Sequence, residues 1–116
     1  MNDERFKTLL AKHPVVLGNL HYLEIGEGWY DLIDRLCTNL EALSPIPVAT
    51  QIKEKFGGLR FYTEVYDGDA DHLYDVIGLA ENEAERTCEV CGAPGKISGQ
   101  GWLKCTCPAH SGPNKA

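Results

Sequence analysis

Four of the chain's five cysteines and one of its four histidines fall in a single stretch, TCEVCGAPGKISGQGWLKCTCPAH, Thr87 to His110. Thiolates and imidazoles at that density can bind a metal, form structural cystines or cycle as a redox pair. Cys88-x-x-Cys91 followed by Gly92 has the spacing of a zinc knuckle, in which two thiolates grip one ion and the glycine relieves the tight turn behind them. Cys107-x-x-His110 repeats that spacing. Cys88, Cys91, Cys107 and His110 are therefore the preferred tetrahedral set for one structural Zn2+ per chain. Cys105-x-Cys107 is too crowded for a usual chelate, which leaves Cys105 as a spare thiol close enough to compete for the ion.

The rival chemistries are weaker. Iron–sulfur ligation would use Cys105 and leave out His110. A redox pair belongs where a strand enters a helix in a βαβ unit, and no such unit is readable. Disulfides need an oxidising compartment, yet MNDERFKTLL has neither the basic start nor the apolar middle of a secretory leader. No apolar run approaches the ~20 residues of a membrane span. A cytoplasmic protein with reduced thiols and no membrane association is the expectation. Because four protein ligands leave no position for an activated water, the ion is expected to supply folding energy and not catalysis.

Other reactive residues make no constellation. His13, His21 and His72 are scattered and read as surface or boundary residues, and the serines sit in turn-like contexts. Asp67, Asp69 and Asp71 lack the glycine and distal glutamate of a calcium loop. Gly57-Gly58 reads as a turn and not as a phosphate cradle, since no helix with a Lys-Ser/Thr follows. No catalytic residue is assigned.

The elements that must position the cluster follow from periodicity. Asn2 caps a short helix over about 3–12, closed by Pro14. Residues 15–28 form a loop punctuated by Gly18, Gly26 and Gly28. Apolar residues at 29, 32, 33, 36, 37, 40 and 43 predict an amphipathic helix over 29–43, ended by Pro45 and Pro47, with Cys37 buried on its stripe. Two period-two runs around Gly57-Gly58 predict a β-hairpin over about 48–66. A further amphipathic helix spans 70–86, and Gly95–Lys104 forms a small hairpin turning at Ser98–Gly101 that brings the two ligand pairs together. The expected fold is α+β: a helical and β-hairpin body over 1–86, a zinc-knuckle or zinc-ribbon-like module over 87–110 packed on it, and a flexible tail over 111–116.

Charge is unevenly distributed. Residues 1–87 carry 8 Lys/Arg against 16 Asp/Glu, whereas residues 88–116 carry 3 Lys against Glu89 alone, within a net charge of −6. An acidic body disfavours generic nucleic-acid binding, while a mildly basic tail leaves local contact open. Strand alternation puts Lys53, Lys55, Arg60, Tyr62 and Tyr66 on one face. That face is either a recognition patch or the site where the second long helix or Trp29 packs on the tyrosines.

The blocks GWYDLIDRLCTNLEAL (28–43), QIKEKFGGLRFYTE (51–64) and TCEVCGAPG with GW and C-x-x-H (87–110) resemble a family of small uncharacterised proteins of tailed bacteriophages and prophages. The resemblance places Cys107 and His110 as the second ligand pair. Cys105 departs from it, standing where the family has a non-ligand residue such as Thr. It implies a phage or prophage origin and carries no established activity. The leading functional expectation is a non-enzymatic accessory protein that binds and modulates a host protein, counter-defence being one version, through the acids of 67–85 presented to a basic site as a DNA mimic would. The alternative is a nucleic-acid-associated zinc module using Lys96, Trp102 and Lys104. A small hydrolase is a minor third.

Overall fold

The computed structural model describes residues 1–111. In chain order they form α1 (Asp3–Lys12), a 3₁₀ turn (Glu27–Trp29), α2 (Tyr30–Leu40), β1 (Ala49–Lys55), β2 (Gly58–Thr63), α3 (Ala70–Ala84), β3 (Lys96–Ser98), β4 (Lys104–Thr106) and a second 3₁₀ turn (Pro108–His110). The strands make two separate antiparallel hairpins, β1–β2 and β3–β4. The architecture is α+β, with a Cys/His cluster beside the second hairpin. Residues 112–116, most of the expected tail, lie outside the described residues; Ser111 is described and its hydroxyl donates to the Cys107 carbonyl at 2.8 Å.

Each helix follows from its caps and stripe. Asn2 accepts the Arg5 N–H, and Phe6 and Leu9 are the buried side of α1. α2 buries Leu32, Ile33, Leu36, Cys37 and Leu40. It is shorter at both ends than the apolar period predicts: Trp29 belongs to the 3₁₀ turn that leads into it, and the chain tightens after Leu40, with Leu43 N–H donating to Leu40 O at 3.0 Å. Burial pushes the Cys37 thiol up to about 12, as befits a small hydrophobe. α3 is capped by Asp69, buries Leu73, Ile77, Ala80 and Ala84, and packs on α2 and β2. A bidentate pair, Arg35 to Glu83 at 2.6 and 3.1 Å, ties α2 to α3 at the surface.

The first hairpin departs from simple alternation at two points. A bulge at Thr50 lets Ala49 and Ile52 both turn inward, although their spacing would place them on opposite faces. The turn is Phe56-Gly57, not Gly57-Gly58: φ is 55° and 83° at these two residues, and Gly58 pairs with Lys55 as the first residue of β2. The Glu54 carboxylate accepts the Gly57 N–H at 2.8 Å and holds this register. Residues 15–28 are irregular yet anchored, with Val16, Leu17, Leu20, Leu23 and Ile25 buried. Backbone bonds from Glu24 N–H to Ile52 O and from Glu54 N–H to Glu24 O, both 3.0 Å, lay this loop along the free edge of β1.

His13 corrects the expectation of a surface residue. It is 3% exposed, with Nε2 2.6 Å from Asp34 Oδ1 and Nδ1 3.0 Å from Glu41 Oε2. It lies just past the end of α1, its N–H donating to Leu9 O at 2.9 Å. Only the fold brings to its ring one carboxylate from α2 and another from the residue that caps it. Lys12 also reaches Asp34, and hydrogen bonds from Lys12 and then His13 hold the Asp34 carboxyl below the usual carboxylate range.

A carboxyl depressed in the folded state contributes stability above its ordinary range and loses it as pH falls through the depressed value. Asp34→Asn should therefore cost about 1–3 kcal/mol near neutral pH. Urea unfolding stepped downward through about pH 4 should show a shallower acid-side loss in the variant than in the native chain. Parallel curves for the two would contradict the role given to Asp34.

Candidate metal centre

The first ligand pair is built at the point where α3 runs out. Backbone bonds from Arg86 to Glu83 (3.0 Å) and from Thr87 to Ala84 (3.2 Å) unwind the helix two residues before the predicted end and aim the chain into the knuckle. There Cys88 N–H donates to Ala93 O at 2.7 Å and Gly92 N–H to Cys88 O at 2.9 Å, folding both thiols to one side. Gly92 has φ +84°, a conformation L side chains resist. A β-carbon there would also crowd Gly28 O at 3.1 Å.

The knuckle is seated on the body by three hydrogen bonds. Gly28 N–H donates to Glu89 O at 2.7 Å, Gly26 N–H to Glu89 Oε2 at 2.9 Å, and the Trp29 indole N–H to Thr87 O at 2.9 Å. The approach leaves no room for side chains. A β-carbon on Gly28 would lie 2.1 Å from Cys88 O and 2.7 Å from Cys91 N, and one on Gly26 would lie 2.3 Å from Glu89 O. Glu89 is 7% exposed; burial pushes its carboxyl up, opposed by the Gly26 N–H and by Lys104.

The second pair arrives on the β3–β4 hairpin. Glu89 N–H donates to Cys105 O at 2.9 Å, which fixes β4 beside the knuckle. The chain then turns through Pro108–His110, where proline presets the first residue of the 3₁₀ turn and His110 N–H donates to Cys107 O at 3.0 Å. That single turn brings His110 Nδ1 to 3.2 Å from its neighbour Cys107 Sγ and 3.8 Å from Cys88 Sγ.

The structure thus brings Cys88, Cys91, Cys107 and His110 together, with all four ligand atoms within 4.8 Å of one another, close enough to hold one metal ion. Cys91 Sγ lies 3.7 Å from Cys107 Sγ. Burial opposes ionisation of Cys88, but backbone N–H groups of Cys107, Cys91 and Val90 outweigh it and lower the thiol to about 6. Cys91 has the opposite sense: its bond from Ala93 N–H favours the thiolate, yet burial and the sulfurs of Cys107 and Cys88 together push it up. Sulfurs this close to one another resist losing successive protons.

Cys105 stands apart from this group. It is fully buried opposite Ile97, and its thiol donates to Ala84 O and Thr87 O at 3.3 and 3.2 Å. The tail hairpin turns through 99–103, longer than the predicted 98–101, so Cys105 lies within β4 and faces the core. Of the five patch residues, Lys53 pairs with Arg60 and Gln51 with Tyr62 across the strands, and Lys55 continues the same face. Tyr66 lies beyond β2, its hydroxyl donating to Pro45 O at 2.5 Å.

Gly26, Gly28, Trp29 and Glu89 are the supporting residues that sequence reasoning passed over. Two glycines one residue apart ahead of a tryptophan were a usable sign of close approach, and so was one carboxylate in an otherwise basic tail. No helix of the described residues is long and apolar enough to cross a membrane. Compared with known proteins, the chain matches no family model, no curated protein and no solved structure.

Gly28→Ala should unseat the knuckle, lowering stability by about 1–3 kcal/mol and weakening metal retention against a chelator. Gly78→Ala, in α3 with nothing within 4 Å of the added carbon, should instead stabilise by up to about 1 kcal/mol. Equal effects of the two in urea unfolding would refute the seating.

Proposed function

We propose that the cluster holds one zinc ion per chain as a structural staple and that the protein acts by binding, not by turnover. The observation that carries this is the tetrahedral spacing. Zn–S bonds of about 2.3 Å and Zn–N bonds of about 2.0 Å imply S···S edges of about 3.8 Å and S···N edges of about 3.5 Å. The observed 3.7 Å between Cys91 and Cys107, and the 3.2 and 3.8 Å from His110 to Cys107 and Cys88, sit around those lengths. Three soft thiolates and an imidazole favour zinc over the hard, oxygen-seeking cations. Four ligands from one chain complete the coordination shell. Ion binding and tail folding then form one equilibrium.

The partner in this reading is a protein of the bacterial host, met in its cytoplasm by a phage or prophage accessory protein. Its support is the charge map together with the resemblance. Asp67, Asp69, Asp71, Asp75 and Glu85 are exposed and, among the described residues, make no ion pair. Such a row complements a basic site and speeds encounter with it.

Replacing Cys88 and Cys91 together by Ser should abolish the roughly one equivalent of zinc found by elemental analysis and make the tail from Thr87 onward sensitive to limited proteolysis. Unchanged metal content would remove the staple. Separately, a host protein captured from lysate by the native chain should be lost with Asp71→Lys/Asp75→Lys and weakened by salt; equal capture by the variant would exclude the acidic row.

A further inference from the structure

Two of the exposed aromatic residues meet at one place. Phe56, 64% exposed, and Trp102, 76% exposed, stand at the tips of the two hairpins and line a shared groove of about 360 Å³ with Glu54, Lys55, Gly101 and Leu103. The tips are held against each other: a β-carbon on Gly57 would touch Ile97 Cγ2 at 3.0 Å, and Lys104 Nζ reaches Glu54 Oε1 at 3.3 Å, neutralising the groove's carboxylate. Each ring has an ammonium near it, Lys55 Nζ 5.6 Å from Phe56 and Lys104 Nζ 6.0 Å from Trp102. Phe56 holds its position at φ 55°. A turn of this kind is met at lower cost by Asn, Asp or Gly, so a bulky apolar ring held there in solvent points to a use for the ring.

The cations follow the rings. Arg5, Lys7, Lys12 and Arg35, on the helical part, all sit in ion pairs. Among the described residues, Lys53, Lys55, Arg60 and Lys96 have no carboxylate partner, and all four lie on the two hairpins; Arg86, donating to Asn82 O, is the exception elsewhere. Lys53 and Arg60 pair directly across β1–β2, while Lys96 and Lys104 share the outer face of β3–β4. Rings presented to solvent among unpaired cations complement a ligand with flat apolar faces strung on an anionic backbone. An acidic polypeptide would meet the cations but would offer a flat face only where it carries an aromatic residue, whereas every nucleotide carries one.

We propose that the two hairpin tips form a binding site for single-stranded nucleic acid, Phe56 and Trp102 stacking on bases while Lys53, Lys55 and Arg60 meet phosphates. The proposal rests on the staple described above, because the ion fixes the hairpin that presents Trp102. The acids on and around α3 repel a long duplex, which restricts the site to a short flexible strand.

Fluorescence anisotropy at low salt, with labelled oligothymidylate and oligouridylate of about twelve nucleotides, tests it on the full chain. Saturable binding that falls with added salt and exceeds binding of a duplex of equal length is expected, with the two strands showing whether DNA or RNA is preferred. Trp102→Ala and Phe56→Ala should each weaken it roughly tenfold or more at unchanged zinc content. Failure of both strands to bind a chain carrying its zinc, undiminished binding by the Trp102 variant, or displacement by oligoglutamate as effective as by unlabelled oligonucleotide would overturn the site, the last identifying an acidic protein segment as the ligand. Zinc content measured on the same sample separates the two readings: strand binding by a zinc-free chain would retain this site and remove the staple.

Discussion

The C-terminal quarter depends on a close contact between two stretches of chain. The Gly26–Trp29 turn and the knuckle at Thr87–Gly92 are joined by one backbone bond, by the Glu89 carboxylate and by the Trp29 indole, leaving no space for a β-carbon on Gly26 or Gly28. Hydrogen bonds of this kind are worth little each in net free energy, but a buried carbonyl left unpaired costs far more. The seam is thus an all-or-none fit. It fixes where Cys88 and Cys91 stand, and the Glu89–Cys105 backbone bond sets beside them the hairpin that carries Cys107 and leads to His110.

The division of labour between core and ligand cluster follows from size. The body buries an apolar cluster running from Phe6 to Ala84, and among the described residues of the tail only Cys105 joins it, with Ile97 packed alongside. Two three-residue strands cannot bury enough surface to order themselves. They are supported on one side by the body hairpin, through Gly57 against Ile97, and on the other by the ligand cluster. A short loop with its aromatic tip in water can be held still only because both supports act together.

Regular elements were legible because each carries its own signal. The stripe on α2, the Asn2 and Asp69 caps and the two C/H pairs all specify local geometry from residue type and spacing, and the three helices and two hairpins lie close to where those signals put them. What eluded the sequence were relations between distant segments. His13 gains its carboxylates only when α2 crosses it, Cys105 turns inward because β4 begins late, and the bulge at Thr50 reverses which residues are buried. The turn at Phe56-Gly57 is illegible for another reason. Two adjacent glycines satisfy a tight turn in either of two registers, and the Glu54 carboxylate selects between them through one backbone amide.

The seam at Gly26–Trp29 also bears on how such a module can travel between genes. An independent zinc finger can be spliced onto any host because its ligands and its small core lie in one segment. Here the concave half of the module's support was laid down some sixty residues earlier in the chain, in a loop that also runs along the edge of β1. Recombination joining this tail to another body would strand it without its seat, so body and tail should be inherited as one unit.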